Sequence, residues 1–599
     1  MMNQQLLHDV DLTKLGQAIQ EEIAYTKTIE KEQQTKSIQE LRKEGRCITP
    51  CTFFSKSDFL NGSLCTFKTS YVLNDSFFKK GSQVLLQIGN SYYKGKITDI
   101  NAFDFSIFVH DEIQEDLYEN AIRVDYSSDE RTFECMRFGL NFFQTKPELQ
   151  AIFLQQVSVS LNTPFQHSEL NQHQQKAVSE ILGTRLLTCI QGPPGTGKTH
   201  TLSIAIQELV KRGKRIIITA PSNTAVDHLC RQIIPSISSL IRVGNEEKIA
   251  DSILPYTIDE LIQNQSNGMY FQQAKKQIQK LEQIANRHIR NYTKEAAEEK
   301  RNAQKELKII YAERRKMSRE LESNLLHNAS IIAGTPVGLF NQLPKDFKAD
   351  YVIMDEAGQA LLPLTLLVAS FGKQLVLCGD PQQLPPVVLS QKAKDGGLGK
   401  SLLEVLYQKR EMILLTEQYR MPEKVVSLIN PFFYENKLIT SKNESEGSVL
   451  YIDTSGFGSG EQQNEETGSI QNEDEALLIK KIIQEFDLKP HTTSILTPYN
   501  AQIALIQSKI GLDWHVSTID SIQGQEQETI LYNLTRSNMD GEIGFLKDYR
   551  RTNVAISRAK KQLILVGDSS TLGADPFYNE LIENLEKMGA YKSVWEFEL

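Results

Sequence analysis

The chain has 599 residues, 40% of them hydrophobic and 24% charged, and a net charge of −9. That length suggests about four domains of roughly 150 residues, and the composition is that of a globular protein rather than a disordered or fibrous one. No apolar run reaches the roughly 18 residues of a membrane span. The start, Met1-Met2-Asn3-Gln4-Gln5, lacks the pattern of a signal peptide, and the scattered cysteines fit reduced thiols, so a cytoplasmic chain with no membrane partner is expected.

Residues 1–45 read as a polar stalk helix, with Leu6, Leu7, Val10, Leu15, Ile19 and Ile23 at helical spacing and Gly45 as its stop. Residues 46–130 change character. Short runs such as Thr52-Phe53-Phe54, Val84–Ile88, Tyr92–Ile97 and Phe105–Val109, separated by Gly81, Gly89-Asn90 and Asn101-Ala102, predict a small β-barrel. Cys47 and Cys51 form a lone C-x3-C pair; with no second pair nearby, structural thiols are the expectation and a zinc site the lesser one. Residues 131–164 return to helix as a second stalk segment.

From 165 to 408 apolar strands alternate with helices, the mark of a parallel α/β sheet. Leu186–Ile190 runs into Gly192-Pro193-Pro194-Gly195-Thr196-Gly197-Lys198-Thr199, followed by His200 and a helical pattern through Leu202, Ala205, Ile206 and Leu209. Strand, glycine-rich loop and helix in that order define a phosphate-binding P-loop. Its backbone N–H groups and helix N-terminus cradle phosphate oxygens. Lys198 would reach the β and γ phosphates, and Thr199 would put its hydroxyl on Mg²⁺. Tyr351–Met354 ends in Asp355-Glu356, where Asp355 is the second expected magnesium ligand and Glu356 the base for the attacking water. A third strand, Leu375–Cys378, ends in Gly379-Asp380-Pro381-Gln382-Gln383. Parallel strands deliver these ends to one edge, so Gln382 and Gln383 are candidate γ-phosphate sensors. The cofactors implied are ATP and Mg²⁺.

Within this domain residues 262–325 carry no strand signal. Residues 272–323 hold fourteen Lys/Arg against eight Asp/Glu, a local balance of +6. Ile278, Leu281 and Ile284, then Leu307, Ile310, Met317 and Leu321, predict two amphipathic helices in a hairpin. Residues 409–599 repeat the α/β pattern without a second P-loop. Ser494–Thr497, Thr529–Tyr532 and Leu563–Val566 are its predicted strands, and the Gly/Ser/Glu/Asn-rich stretch 441–473 is expected to be a loop.

The succession GPPGTGKT, APSNTAVD, DEAGQA, GDPQQLPP, EQYRMP, DSIQGQE and RRTNVAISRAK, from Leu170 to Asp568, resembles the superfamily 1 helicases. It is most similar to the 5′-to-3′ branch with the nonsense-mediated-decay and immunoglobulin-mu-binding helicases. That resemblance implies an α/β fold of two RecA-like domains with a barrel on a stalk and a helical insertion. It implies Gln174 at the adenine edge, Tyr419 stacked on adenine, Arg420 and Arg558 as arginine fingers, and Glu526 near the ribose. It also implies nucleic-acid contacts from Pro221, Ser222, Asn223, Thr335, Pro498, Tyr499 and Thr518, on a face opposite the nucleotide.

Ile522, Gln527-Glu528, Ser557 and the direct Met421-Pro422 step depart from the family pattern without removing a catalytic group. The expected activity is ATP-driven movement along single-stranded RNA or DNA by a monomer. A nucleic-acid-stimulated ATPase that strips proteins without unwinding duplex, and a nucleotide-switched binding module, are the alternatives. Nothing in the motifs separates RNA from DNA, a choice that rests on a few 2′-hydroxyl contacts.

Overall fold

The computed structural model describes residues 11–146 and 164–597. Outside that description are 60–61, 72, 74–77, 79–81, 90, 102, 110–112, 114–116, 118–119, 128–129, 184–185, 238, 265–276, 278–279, 282–293, 409–411, 442–446, 465–467 and 523.

The predicted stalk is two helices rather than one. α1 spans Leu12–Thr35 and α2 spans Ile38–Lys43. Ser37 breaks the run because its hydroxyl accepts from Glu40 N while the Glu40 carboxylate accepts from Ser37 N, a capping box that starts a new helix. The second stalk segment is α3, Glu130–Thr145; its predicted continuation toward 164 lies outside the described residues.

Between the stalk helices lie β1 (Cys47–Ile48), β2 (Thr52–Phe59), β3 (Gly62–Lys68), β4 (Gln83–Ile88), β5 (Ser91–Ile100), β6 (Asp104–Val109) and β7 (Ile122–Tyr126). They pair antiparallel in the order β1-β7-β4-β5-β6-β3-β2. The two edge strands, β1 and β2, are joined by three residues, so the sheet must curl back on itself. It encloses one core with Phe67, Phe105, Ile107 and Val124 at its centre. Cys47 and Cys51 are buried in that unit, and burial pushes both thiols up to about 12. They therefore stay protonated at neutral pH, as suits packing residues.

The first large sheet comprises β8 (Leu187–Gln191), β9 (Ile216–Thr219), β10 (Leu240–Arg242), β11 (Ile331–Ala333), β12 (Ala349–Met354), β13 (Gly372–Gly379) and β14 (Ile413–Leu414). All neighbours are parallel, in the order β10-β11-β9-β12-β13-β8-β14. Strand residues alternate between two cores: Ile216, Ile218 and Ile353 face one, Ile217, Val352 and Met354 the other. Helices cover both faces, which explains why these strands read as unbroken apolar runs. On one face the stalk joins in, with Leu15, Ile19, Met136 and Phe143 packed into the same core as β12 and β13. β14 pairs with β8, so this sheet takes in a strand that lies past the expected division at 408/409.

β15 (Glu417–Gln418) and β16 (Ile439–Thr440) form a short parallel pair leading into the second sheet. That sheet is built from β17 (Ser448–Asp453), β20 (Thr493–Leu496), β21 (His515–Ser517), β22 (Gln527–Asn533), β23 (Ala559–Gly567) and β24 (Tyr591–Ser593), all parallel, in the order β21-β20-β22-β23-β17-β24. β18 (Gln462–Gln463) and β19 (Ile470–Gln471) make a small hairpin. The loop expected over 441–473 is thus overturned in part: β17 is an interior strand, hydrogen-bonded on both sides. The polar residues around it masked Val449-Leu450-Tyr451-Ile452, a run too short for periodicity to reveal.

Of the predicted helical hairpin, Lys294–Asn328 is one helix; most of the other arm lies outside the described residues. Among the described residues no helix is long and apolar enough to cross a membrane.

Candidate functional site: a cleft between two parallel sheets

β12, β13 and β8 are adjacent in the first sheet, so their C-terminal ends bring three loops together. The P-loop leaves β8. Its left-handed residues are glycines, Gly195 and Gly197, both at φ 73°. Space demands glycine as well. A Cβ at Gly197 would stand 2.7 Å from Gln174 Nε2, and one at Gly195 2.6 Å from Arg420 Cβ. Pro193 O accepts from the Thr196 hydroxyl at 2.7 Å, Pro194 completes the turn, and Lys198 Nζ donates to Gly192 O at 2.6 Å. Gly197 caps the helix Lys198–Lys211, whose N-terminus faces the cleft. His200, in its first turn, lies half-exposed 3.9 Å from Glu169.

From β12 come Asp355 and Glu356. Asp355 is buried, and its Oδ2 lies 3.5 Å from the Thr199 hydroxyl. Burial, aided by the neighbouring Glu356 charge, pushes its carboxyl well above the usual range, with Lys198 acting in the opposite sense. A buried carboxylate paired with a hydroxyl, and short of positive charge, fits a magnesium ion held with phosphates. Glu356 adopts φ 51°, rare for a residue with a side chain, and its Oε2 accepts from Gln359 at 3.0 Å. From β13 comes Gln383, whose Nε2 donates to Asp380 Oδ2 at 3.1 Å. Gln382 contributes backbone instead: its N donates to Asp380 Oδ1, and its carbonyl accepts from Asn553.

The second domain meets this edge with the opposite end of its sheet. β22 and β23 are neighbours, with Gln527 opposite Ala559. The residues just before them, Glu526 and Arg558, therefore enter the cleft side by side. Arg558 is buried, and its Nη2 donates to Gln383 Oε1 at 3.4 Å. Burial, and then Arg420, lower its pKa to about 10, so it remains charged at neutral pH. Arg420 Nε lies 2.5 Å from Glu526 Oε2. Burial would raise the Glu526 carboxyl, but Arg420 and Lys560 hold it below its ordinary value. Gln418 shapes the turn that carries Arg420, accepting from Arg420 N and Met421 N on one oxygen.

Tyr419 ties the two domains at the rim. Its N donates to Gly195 O at 2.9 Å, and its hydroxyl accepts from Asn171 and donates to Glu417. Gln174 sits between the start of its helix and the P-loop. Its Oε1 accepts from Asn171 N, and its Nε2 donates to Thr196 O, so both amide ends are engaged in capping a helix and bracing the P-loop. This leaves Asn171 and the half-exposed Tyr419 nearer the rim.

A separate groove of about 750 Å³ follows the β9–β11 half of the same edge, rather than an opposite face. Pro221, Ser222, Asn223 and Thr335 line it, with Lys96 of the curled sheet, Lys248 and, from the second domain, Asp520. Ser222 and Thr335 cap the helices that follow β9 and β11, and buried Arg242 donates to Asn223 Oδ1 at 2.9 Å. Of the predicted contacts from the second domain, Pro498 and Thr518 flank Tyr499 and Asp520 in sequence, and the Thr518 hydroxyl pairs with Ser521. Tyr499 departs from the expectation. It is buried, its hydroxyl bonds to Arg536, and its ring is covered by the exposed ring of Phe545 at 5.5 Å.

Sequence reasoning missed Tyr434, Asn553, Lys96, Lys248 and Phe545. Asn553 lies inside RRTNVAISRAK, which was legible; the others belong to no motif.

Two family profiles described as AAA domains match residues 169–391 and 398–570. Three relatives are similar along most of the chain. The DNA-binding protein SMUBP-2 of Mus musculus is 27% identical over 94% of this chain, which spans 61% of that relative's length. An uncharacterized ATP-dependent helicase of Methanocaldococcus jannaschii is 29% identical over 82% of each chain. The DNA polymerase alpha-associated DNA helicase A of Schizosaccharomyces pombe is 31% identical over 70% of this chain and 67% of its own.

Proposed function

The chain belongs to the superfamily 1 helicases, and from that membership we propose that it is an ATP-dependent motor moving 5′ to 3′ on single-stranded RNA or DNA. One observation carries this reading: two cationic side chains of the second domain, Arg420 and Arg558, stand in the same cleft as Lys198, Asp355, Glu356 and Gln383 of the first. Lys198 would match the β and γ phosphate charge. Thr199 and Asp355 would hold the magnesium ion, which withdraws charge from the phosphate oxygens. Glu356 would take the proton from water as the water oxygen bonds to the γ phosphorus and ADP leaves. Charge spreads over the phosphoryl oxygens in that transition state, where Arg420 and Arg558 would neutralise it. Both arginines ride on the second domain, so hydrolysis requires the domains to be closed and its products release them.

The groove supports the nucleic-acid half of the proposal. It crosses from the curled sheet to the second domain and offers hydroxyl, amide and ammonium groups, which suit phosphate and sugar rather than base edges. Two of the three relatives carry the word helicase in their names, and the third is called DNA-binding. The seven cysteines are buried and none is joined in a disulfide, which fits a chain working in the reducing cytoplasm.

Steady-state ATP hydrolysis, measured alone and with single-stranded RNA or DNA of equal length, tests the proposal. Strong stimulation is expected. A rate indifferent to both would replace the motor with a nucleotide-switched module.

A further inference from the structure

We infer that Tyr434 is a positioning residue: its hydroxyl latches the strand end bearing Gln383 to the second domain and so sets Gln383 against Arg558. The inference rests on reading the cleft as the site of ATP hydrolysis.

Tyr434 ends the helix Glu423–Phe433 and is buried. Its hydroxyl donates to Asp380 Oδ2 at 2.8 Å and accepts from Asn553 Nδ2 at 2.9 Å. The same Asn553 amide donates to Gln382 O at 2.9 Å. Asp380 and Gln382 belong to the loop after β13, Tyr434 and Asn553 to the second domain, so two of these bonds, Tyr434 to Asp380 and Asn553 to Gln382, cross between domains, and the third ties Tyr434 to Asn553 within the second. Asp380 gathers the loop beneath them, accepting from Gln382 N at 3.1 Å and Gln383 Nε2 at 3.1 Å. With its Nε2 held there, Gln383 presents Oε1 to Arg558. The path from the second domain to the candidate sensor is therefore two hydrogen bonds long: Tyr434 to Asp380, Asp380 to Gln383.

Energetics favour a positional role over a stabilising one. Exchanging solvent partners for buried ones contributes only about 1 kcal/mol net per hydrogen bond, and apolar residues would close the same interface at least as well. Position is another matter. A hydrogen bond is lost beyond roughly 3.5 Å, so a slide of about 1 Å between the domains breaks the Tyr434–Asp380 link outright. The latch is made or broken with little between, and Gln383 keeps its fixed orientation only when it is made.

Tyr434→Phe removes the hydroxyl and keeps the ring. ATP turnover with saturating single-stranded DNA should fall about tenfold in kcat, with KM for ATP within twofold and the affinity for fluorescein-labelled oligo(dT) unchanged. Asp380→Asn should lower kcat similarly, and the double variant should be no slower than the slower single one. A kcat equal to wild type, or a lower melting temperature with kcat retained, overturns the latch. So does full additivity of the two losses. A wild-type rate that nucleic acid does not raise refutes the motor alone, since the same kcat comparison can be made without it. With no turnover at all, melting decides. ATPγS should raise the melting temperature of wild type more than that of Tyr434→Phe, and equal shifts overturn the inference.

Discussion

Glu356 carries a left-handed backbone that a side chain must tolerate (φ 51°), and such a conformation costs of order 1–3 kcal/mol unless its surroundings enforce it. Here the enforcement is visible. Asp355 Oδ1 accepts from Glu356 N, and Gln359 holds the far end of the side chain. Replacing Glu356 by Gln preserves those contacts and removes only the capacity to take a proton. Glu356→Gln should therefore bind a fluorescent ATP analogue as tightly as wild type while hydrolysis drops by at least about a hundredfold; loss of binding would make Glu356 a structural residue. Lys198→Ala should abolish turnover, because the β and γ phosphate charge is left unmatched, and an unchanged steady-state rate would remove the P-loop from the mechanism. Both residues were legible in the sequence because chemistry dictates their type and their spacing along one strand and loop. Tyr434 was not, because nothing local distinguishes it from any aromatic residue at the end of a helix.

Between elements, α3 lies close against the helix Leu362–Ala369 just after Asp355-Glu356. Gly139 makes it possible: a Cβ there would lie 2.2 Å from Pro363 O and 2.9 Å from Leu367 N. In an exposed helix Gly→Ala gains about 1 kcal/mol. Here both obstacles are backbone atoms, and overpacking of about 1–3 kcal/mol outweighs that gain. Gly139→Ala should lower the thermal midpoint, and a raised midpoint would show that the stalk yields freely. The second domain holds its own buried carboxyl. Glu475, in the helix Glu473–Glu485, accepts from Thr454 Oγ1 at 2.8 Å and Asn533 Nδ2 at 2.6 Å, and burial raises its pKa to about 7. The folded state thus holds a proton that the unfolded state has released between the ordinary carboxylate range and pH 7. Stability falls as pH rises across that window. Gln fits, since its amide can donate to the Thr454 oxygen and its carbonyl still accept from Asn533. Glu475→Gln should melt at similar temperatures at pH 5.5 and 8.5, where wild type loses stability; parallel losses would place the titrating group elsewhere.

At the scale of the molecule, the two sheets present opposite ends to the cleft: the first offers loops at its C-terminal edge, the second residues that precede β22 and β23. Arg558 reaches Gln383 only through that docking. Arg558→Ala should cut kcat by about 10³, the order found for arginine fingers, with ADP affinity within a few-fold; a loss confined to affinity would make Arg558 a binding residue. By itself the sequence determined the P-loop, the acidic strand end and the alternation of strands and helices, because each depends on neighbours a few residues apart. It could not reveal β17, whose short apolar run becomes a strand only between β23 and β24, nor that Tyr499 is covered by Phe545. Nor could it reveal that Gln174 caps its helix and braces the P-loop through the same amide. Only the tertiary structure decided that Arg558 meets Gln383 and Arg420 meets Glu526, and how Asp380, Tyr434 and Asn553 close one network. Those relations join residues more than fifty positions apart, and local patterns of charge and hydrophobicity do not encode which distant surfaces dock.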